Sequence, residues 1–209
     1  MDIAPIDIAR AFVVIRRYLI VAAAGLCAVA CGSSPGSTPA PRPATPAATA
    51  ATESPPPGDI PDTTVYVAYR PSSRPYEVKA PEGWARTASA AGLSFTDKLN
   101  TITIQTVRAA APTVASARTA EVPQIQASVH GFALAGISTV SRSAGTAVLI
   151  RYSADSPPDP VTGKVYRDAV ERYEFYRNGR EAIVTLAGPA GADNVDPWRT
   201  VTDSFRWQP

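Results

Sequence analysis

"AVERYEFYRNGREAIVTLAG", residues 169–188, is the stretch that decides the fold. At its centre, Asn178-Gly179 is a two-residue hairpin signal, because a type I′ turn needs positive φ at both central positions and Asn and Gly tolerate it best. Pairing outward from that turn sets Phe175 opposite Ala182, Tyr173 opposite Val184 and Glu171 opposite Leu186. The alternate residues Arg172, Glu174 and Tyr176 then fall against Thr185, Ile183 and Glu181. One face is apolar and the other mostly polar, and a slip of one residue would exchange them. The stretch predicts a long antiparallel hairpin with one face turned to a core.

Period-two alternation extends the sheet. "PYEVKA" (75–80) places Tyr76, Val78 and Ala80 on one side. "GLSFTD" (92–97) and "TITIQTV" (101–107) flank Lys98-Leu99-Asn100 and turn Leu93, Phe95, Ile102 and Ile104 inward. "GISTVSR" (136–142) and "TAVLIRY" (146–152) flank a turn at Ala144-Gly145. Val148, Leu149 and Ile150 run without a polar break, which predicts a central strand covered on both faces. A helix is expected within 113–128, kinked or split by Pro123. A second is expected to begin near Asp196, with Asp as N-cap and Pro197 at the first helical position, and to run to Phe205. A short "FRWQ" strand closes the sheet. The expected fold is α+β: an antiparallel sheet of six or seven strands with one or two packed helices, spanning residues 64–209.

The preceding text changes character. From Gly32 to Thr63 the chain is Pro, Ala, Ser, Thr and Gly with almost no large apolar residue. Such composition cannot bury enough surface to offset its ordering entropy, so residues 31–63 read as a disordered tether. Upstream, Arg16-Arg17 precede thirteen uncharged residues, 18–30. That run is short of the roughly 20 apolar residues a spanning helix needs and has the length of a signal-peptide core. A spanning anchor is the alternative reading. The acids and proline of residues 1–13 fit a signal peptide poorly, and Val13 or Val14 reads as the start of translation. The only two cysteines, Cys27 and Cys31, sit in this apolar run with a spacing that suits neither a zinc site nor a disulfide framework.

Ala28-Val29-Ala30-Cys31 resembles the bacterial lipobox. The resemblance implies that residues 1–30 are a lipoprotein signal peptide and that Cys31 is diacylglycerated and becomes the first residue of the mature chain. Two acyl chains hold a protein at a membrane where one binds only marginally. With 17 arginines against three lysines and abundant Ala and Pro, the usage is that of a high-GC genome and, beside a lipobox, suggests an actinobacterium. "APEGW" (80–84), "GLSFTD", the long central hairpin and "DPWRTVTDSFRW" (196–207) resemble the PsbP-like fold found in LpqN/LpqT-type mycobacterial lipoproteins. That resemblance implies an accessory or ligand-binding role, often without enzymatic activity. It carries over no binding residue.

Few residues suggest chemistry. His130, the only histidine, precedes Gly131 with no nucleophile motif beside it, so it reads as a loop residue. No catalytic residue, metal or cofactor is expected, although a pair of carboxylates distant in sequence remains open to a hydrolase. In "GADNVDPW" (191–198), Asp193, Asn194 and Asp196 offer hard oxygen atoms, but not at calcium-loop spacing, and a turn feeding a helix is the preferred reading. Trp84 and Trp198, with Asp193 and Asn194, are the candidate contacts for a ligand or partner. Trp207, Tyr66, Tyr69 and Tyr76 are further aromatics of a kind more often found in cores. The proline-bearing loop 153–166 reads equally as a binding rim or a stiffened connection. A net charge of +2, with basic residues scattered along strands beside acids, argues against nucleic acid as a partner. The expected function is that of a lipid-anchored, non-catalytic accessory on the extracytoplasmic face of the cell membrane, serving a membrane protein complex. The alternative is binding of a small amphiphilic ligand or glycolipid in a pocket beside the sheet.

Overall fold

The structure is a computed structural model and describes residues 56–209. The expected signal peptide, Cys31 and the tether up to residue 55 lie outside the described residues. Among those described, the strands are β1 (Tyr66–Tyr69), β2 (Tyr76–Pro81), β3 (Ala85–Ala88), β4 (Leu93–Asp97), β5 (Asn100–Arg108), β6 (Ala133–Arg142), β7 (Gly145–Asp155), β8 (Arg167–Arg177), β9 (Arg180–Pro189) and β10 (Arg206–Trp207).

The central hairpin forms as its sequence dictates. Asn178 and Gly179 stand at φ 51° and 77°. Phe175 pairs with Ala182, Tyr173 with Val184 and Glu171 with Leu186. Around it a seven-stranded antiparallel sheet assembles in the order β3-β4-β5-β9-β8-β7-β6. The "PYEVKA" and "FRWQ" segments do not join this sheet. They pair as β2 and β10 and, with β1, make a second sheet in the order β1-β2-β10. The third hairpin turns at Ser143-Ala144, one residue earlier than expected, because Arg142 pairs with Gly145.

Three layers result, giving the α+β architecture that the alternation predicts. On one face of the large sheet, Tyr76 and Val78 of β2 and Trp198, Val201 and Phe205 of the C-terminal segment pack against Ile102, Ile104, Phe175, Val184 and Leu186. Phe205 stacks on Phe175 with ring centroids 4.9 Å apart. Each such fully buried side chain contributes about 1.5–3 kcal/mol. On the other face, Ala117, Val122 and Ile125 of a helix cover Val148, Ile150, Tyr152 and Val170. Leu149 belongs to the first core and Val148 and Ile150 to the second, so β7 is covered on both sides, although it lies next to the edge strand β6.

That helix is split. An α-helical turn, Val114–Ser116, passes into a π-helical segment, Ala117–Glu121, and then an α-helix, Val122–Ser128. Pro123 lacks an N–H and its ring crowds the preceding turn, and the widened π segment lies in that turn. The C-terminal helix, Val195–Ser204, starts before the expected cap. Asn194 is the N-cap through its carbonyl, which accepts from Trp198 N at 2.9 Å, and Asp196 sits in the first turn. No helix among the described residues is long and apolar enough to cross a membrane.

Candidate functional site

Among the described residues, an open groove of about 710 Å³ lies where residues 56–65 meet the large sheet. Residues 56–65 form one wall, Glu82, Gly83 and Trp84 a second, and the β4–β5 turn at Lys98-Leu99 a third. Asn100 lines the groove and is held by a second buried asparagine, Asn194, far away in sequence. Asn100 Nδ2 donates to Gly58 O at 2.8 Å, and Asn194 Nδ2 donates to the same carbonyl at 3.1 Å and to Asn100 Oδ1 at 3.0 Å. Ile60 N donates to Asn194 Oδ1 at 2.9 Å. Both asparagines are buried, so each amide needs these partners. Gly188 makes the meeting possible, since a Cβ there would run into Asn100 Oδ1.

This amide lock changes where the folded unit begins. Gly58, Asp59 and Ile60, which composition assigns to the tether, are fastened to the domain. Ile60 is buried in the main core, and Asp59 Oδ1 accepts from Asp193 N at 2.9 Å.

The sequence-derived candidates separate accordingly. Trp84 is half-buried and lines the groove. Asn194 does not line the groove but is buried behind Asn100 with its amide fully engaged, and Asp193 is exposed beside it. Trp198 is buried in the main core, at 7 % exposure, away from the groove. Tyr76 is also core, and Trp207 packs edge-on against Phe205. The loop beyond β7 closes on itself: Asp159 Oδ1 accepts from Val161 N, Thr162 N and Thr162 Oγ1. It lines neither this groove nor the shallower depression at the opposite end of the sheet. His130 is exposed in the turn after the split helix.

The most perturbed carboxyls lie beneath the split helix, on the hairpin face that alternation marks as polar. The helix covers part of this face, so Glu174, Glu181 and Ile183 are buried there. Arg172 donates from Nε to Glu174 Oε1 at 3.0 Å and from Nη2 to Glu121 Oε2 at 3.1 Å. Glu174 Oε2 has no partner among the described residues, and burial pushes that carboxyl up against the pull of Arg172. Glu181 is pushed up to about 7, by burial first and then by the charges of Glu174 and Glu121. Asp168 is pushed up to about 6 by burial and by Asp155. Shifted carboxyls can mark active sites. Glu174 and Glu181 line neither concavity, however, and they form no metal-binding group of three acids or histidines. Sequence alone missed them because the covering helix is far away in the chain.

No family model matches the chain, and no curated protein matches it. Among solved structures it is similar to the cyanobacterial PsbP (CyanoP) of Synechocystis sp. PCC 6803, at 15% identity, covering 73% of this chain and 99% of that one, with a TM-score of 0.46. It is similar to LpqN of Mycobacterium tuberculosis, a protein involved in cell envelope biogenesis, at 14% identity over 71% and 93% of the two chains, TM-score 0.43. The Ran-binding protein Mog1p of Saccharomyces cerevisiae is similar at 8% identity over 69% and 96%, TM-score 0.46. These likenesses concern the fold alone.

Proposed function

We propose that the protein is a non-catalytic accessory of the cell envelope, anchored through Cys31 on the extracytoplasmic face, and that it meets a protein partner at the groove beside Trp84. One observation carries this reading: a concavity lined by Trp84 is an open groove next to the N-terminal segment. A closed apolar cavity would suit an amphiphilic ligand better, whereas an open groove with a half-buried tryptophan suits an inserted protein segment. The experiment is photo-crosslinking in cells from a reactive residue placed at Glu82, which is exposed on the groove wall. A discrete protein adduct is expected. An adduct with the mass of a lipid would instead establish the second reading, a glycolipid or other amphiphile. The apolar residues Ile60, Val65, Trp84 and Leu99 in the lining support that alternative. No adduct at all would remove the groove from consideration. Because the reading assigns no role to His130, a His130→Ala chain should complement a deletion strain as fully as the parent. Failure of a folded, correctly located variant would restore an enzymatic reading.

A further inference from the structure

Arginines collect at the end of the large sheet remote from the groove. Arg177 and Arg180 flank the β8–β9 turn and stand directly opposite one another, and Arg108, last in β5, stands directly opposite Arg180 on its other side. Residues directly opposite in antiparallel strands share a face, with Cβ atoms about 4.5–5.5 Å apart. Three guanidinium groups therefore start from one row across β8, β9 and β5. All three residues are exposed, and among the described residues none meets a carboxylate within 4.0 Å. Arg70 and Arg74, between β1 and β2, approach the row from the side, and with Arg180 and Gln208 they line an open depression of about 540 Å³. Glu77 engages Arg70, whose Nε donates to Oε2 at 2.8 Å, and Arg74 Nη2 donates to Ser89 O at 2.6 Å. Five arginines thus share one end, with the carboxylate of Glu77 paired to Arg70, Pro209 in the same depression and Glu181 buried on the opposite face of the sheet, in a chain whose net charge is only +2.

Like charges placed directly opposite on a sheet are destabilising. All three arginines are exposed and none pairs with an acid among the described residues, so neither burial nor ion pairing accounts for the row. A local arrangement that works against stability is characteristic of a functional surface. We propose that this end of the domain is a binding site for a phosphate-bearing anion. Guanidinium forks engage phosphate oxygens bidentately and keep their charge at any physiological pH. The bound dianion would supply the negative charge that the row lacks. The site is separate from the groove, because β5 runs from Asn100 at the groove to Arg108 at the arginine end, about 26 Å at about 3.3 Å per residue. It does not rest on the function proposed above.

The test uses the full chain and the exposed substitutions Arg108→Gln and Arg180→Gln. Thermal melting is followed with inorganic pyrophosphate and with chloride at matched ionic strength. Pyrophosphate is expected to raise the Tm of the parent. Arg180→Gln, having lost one charge-assisted contact, should bind pyrophosphate about tenfold more weakly. Without the anion, both variants should melt at or above the parent's temperature, because repulsion within the row is relieved. A shift no larger than chloride produces, or an equal shift in parent and Arg180→Gln, overturns the proposal. So does a fall in the variants' Tm without ligand, since that would make the row structural. Co-sedimentation with vesicles of phosphatidylglycerol and phosphatidylcholine, against phosphatidylcholine alone, separates the sources. A phosphatidylglycerol-dependent increment lost in Arg180→Gln assigns a lipid headgroup. Pyrophosphate binding without that increment assigns a soluble phosphorylated ligand.

Discussion

Gly179 stands at φ 77° with open space where a Cβ would project. Any cost of a side chain there is therefore a backbone cost and not a clash. Gly179→Val forces a β-branched residue into the left-handed region and should lose about 1–3 kcal/mol in a denaturant titration. A midpoint equal to the parent's would mean that the turn relaxes freely. Glu181 governs a different dependence. Its carboxyl, raised from the ordinary 4.5 to about 7, binds more protons in the folded than in the unfolded chain over that interval. Its stabilising contribution is therefore complete below about 4.5 and is lost as pH rises through about 7. Asp168, raised to about 6, adds to the same slope. After allowance for screening by solvent, the domain should be about 1–2 kcal/mol less stable at pH 8 than at pH 5 through Glu181. Glu181→Gln should flatten the upper part of that slope in urea titrations at the two pH values. Identical slopes in parent and variant would show that Glu181 titrates normally.

Among the elements, the hairpins were legible because alternation and turn chemistry are local. Asn178-Gly179 fixed a register that the fold keeps over the whole of β8 and β9. β1 and β3 were not legible. β3 reads Ala-Arg-Thr-Ala with every residue exposed, so it carries no period to detect. Strand order was equally hidden, and with it the arginine row. Arg177 and Arg180 can be set opposite each other from the turn alone, but nothing local announces that β5 lies beside β9 and brings Arg108 to them. The groove was half visible, through Trp84. The amide lock was not, because Asn100 and Asn194 each look like turn residues, and the prolines around Ile60 hide the one buried side chain of that segment. Asn194→Ala tests the lock directly. It strips Ile60 N and Asn100 Oδ1 of a partner and should cost about 1–3 kcal/mol. Hydrogen exchange at the Ile60 amide should accelerate sharply while the amides of β8 and β9 keep their protection. Uniform acceleration across the sheet would mean that the lock is not a local device.

At the scale of the whole molecule, the domain is a sheet with a second sheet and the C-terminal helix on one face and a split helix on the other. Among the described residues, a groove and a shallower depression lie at opposite ends of β5. The membrane attachment proposed for Cys31 is tested by Cys31→Ala, which should abolish incorporation of radiolabelled palmitate and leave unprocessed precursor. Unchanged labelling would reject it. The amide lock also has a mechanical meaning. A pull on the chain upstream of Gly58 reaches the domain at Gly58–Ile60, where two side-chain amides hold it at a single point. A strand of the large sheet shares its load along a whole ladder, whereas this attachment rests on the asparagine amides, the Asp59–Asp193 hydrogen bond and the buried Ile60 side chain, with each hydrogen bond worth about 1 kcal/mol net. Under tension applied upstream, this short attachment is expected to open, with Ile60 leaving the core, before the ladders of the large sheet part. Such an opening would take one wall from the groove while leaving the sheet intact, which makes the attachment a candidate mechanical fuse beside this concave surface.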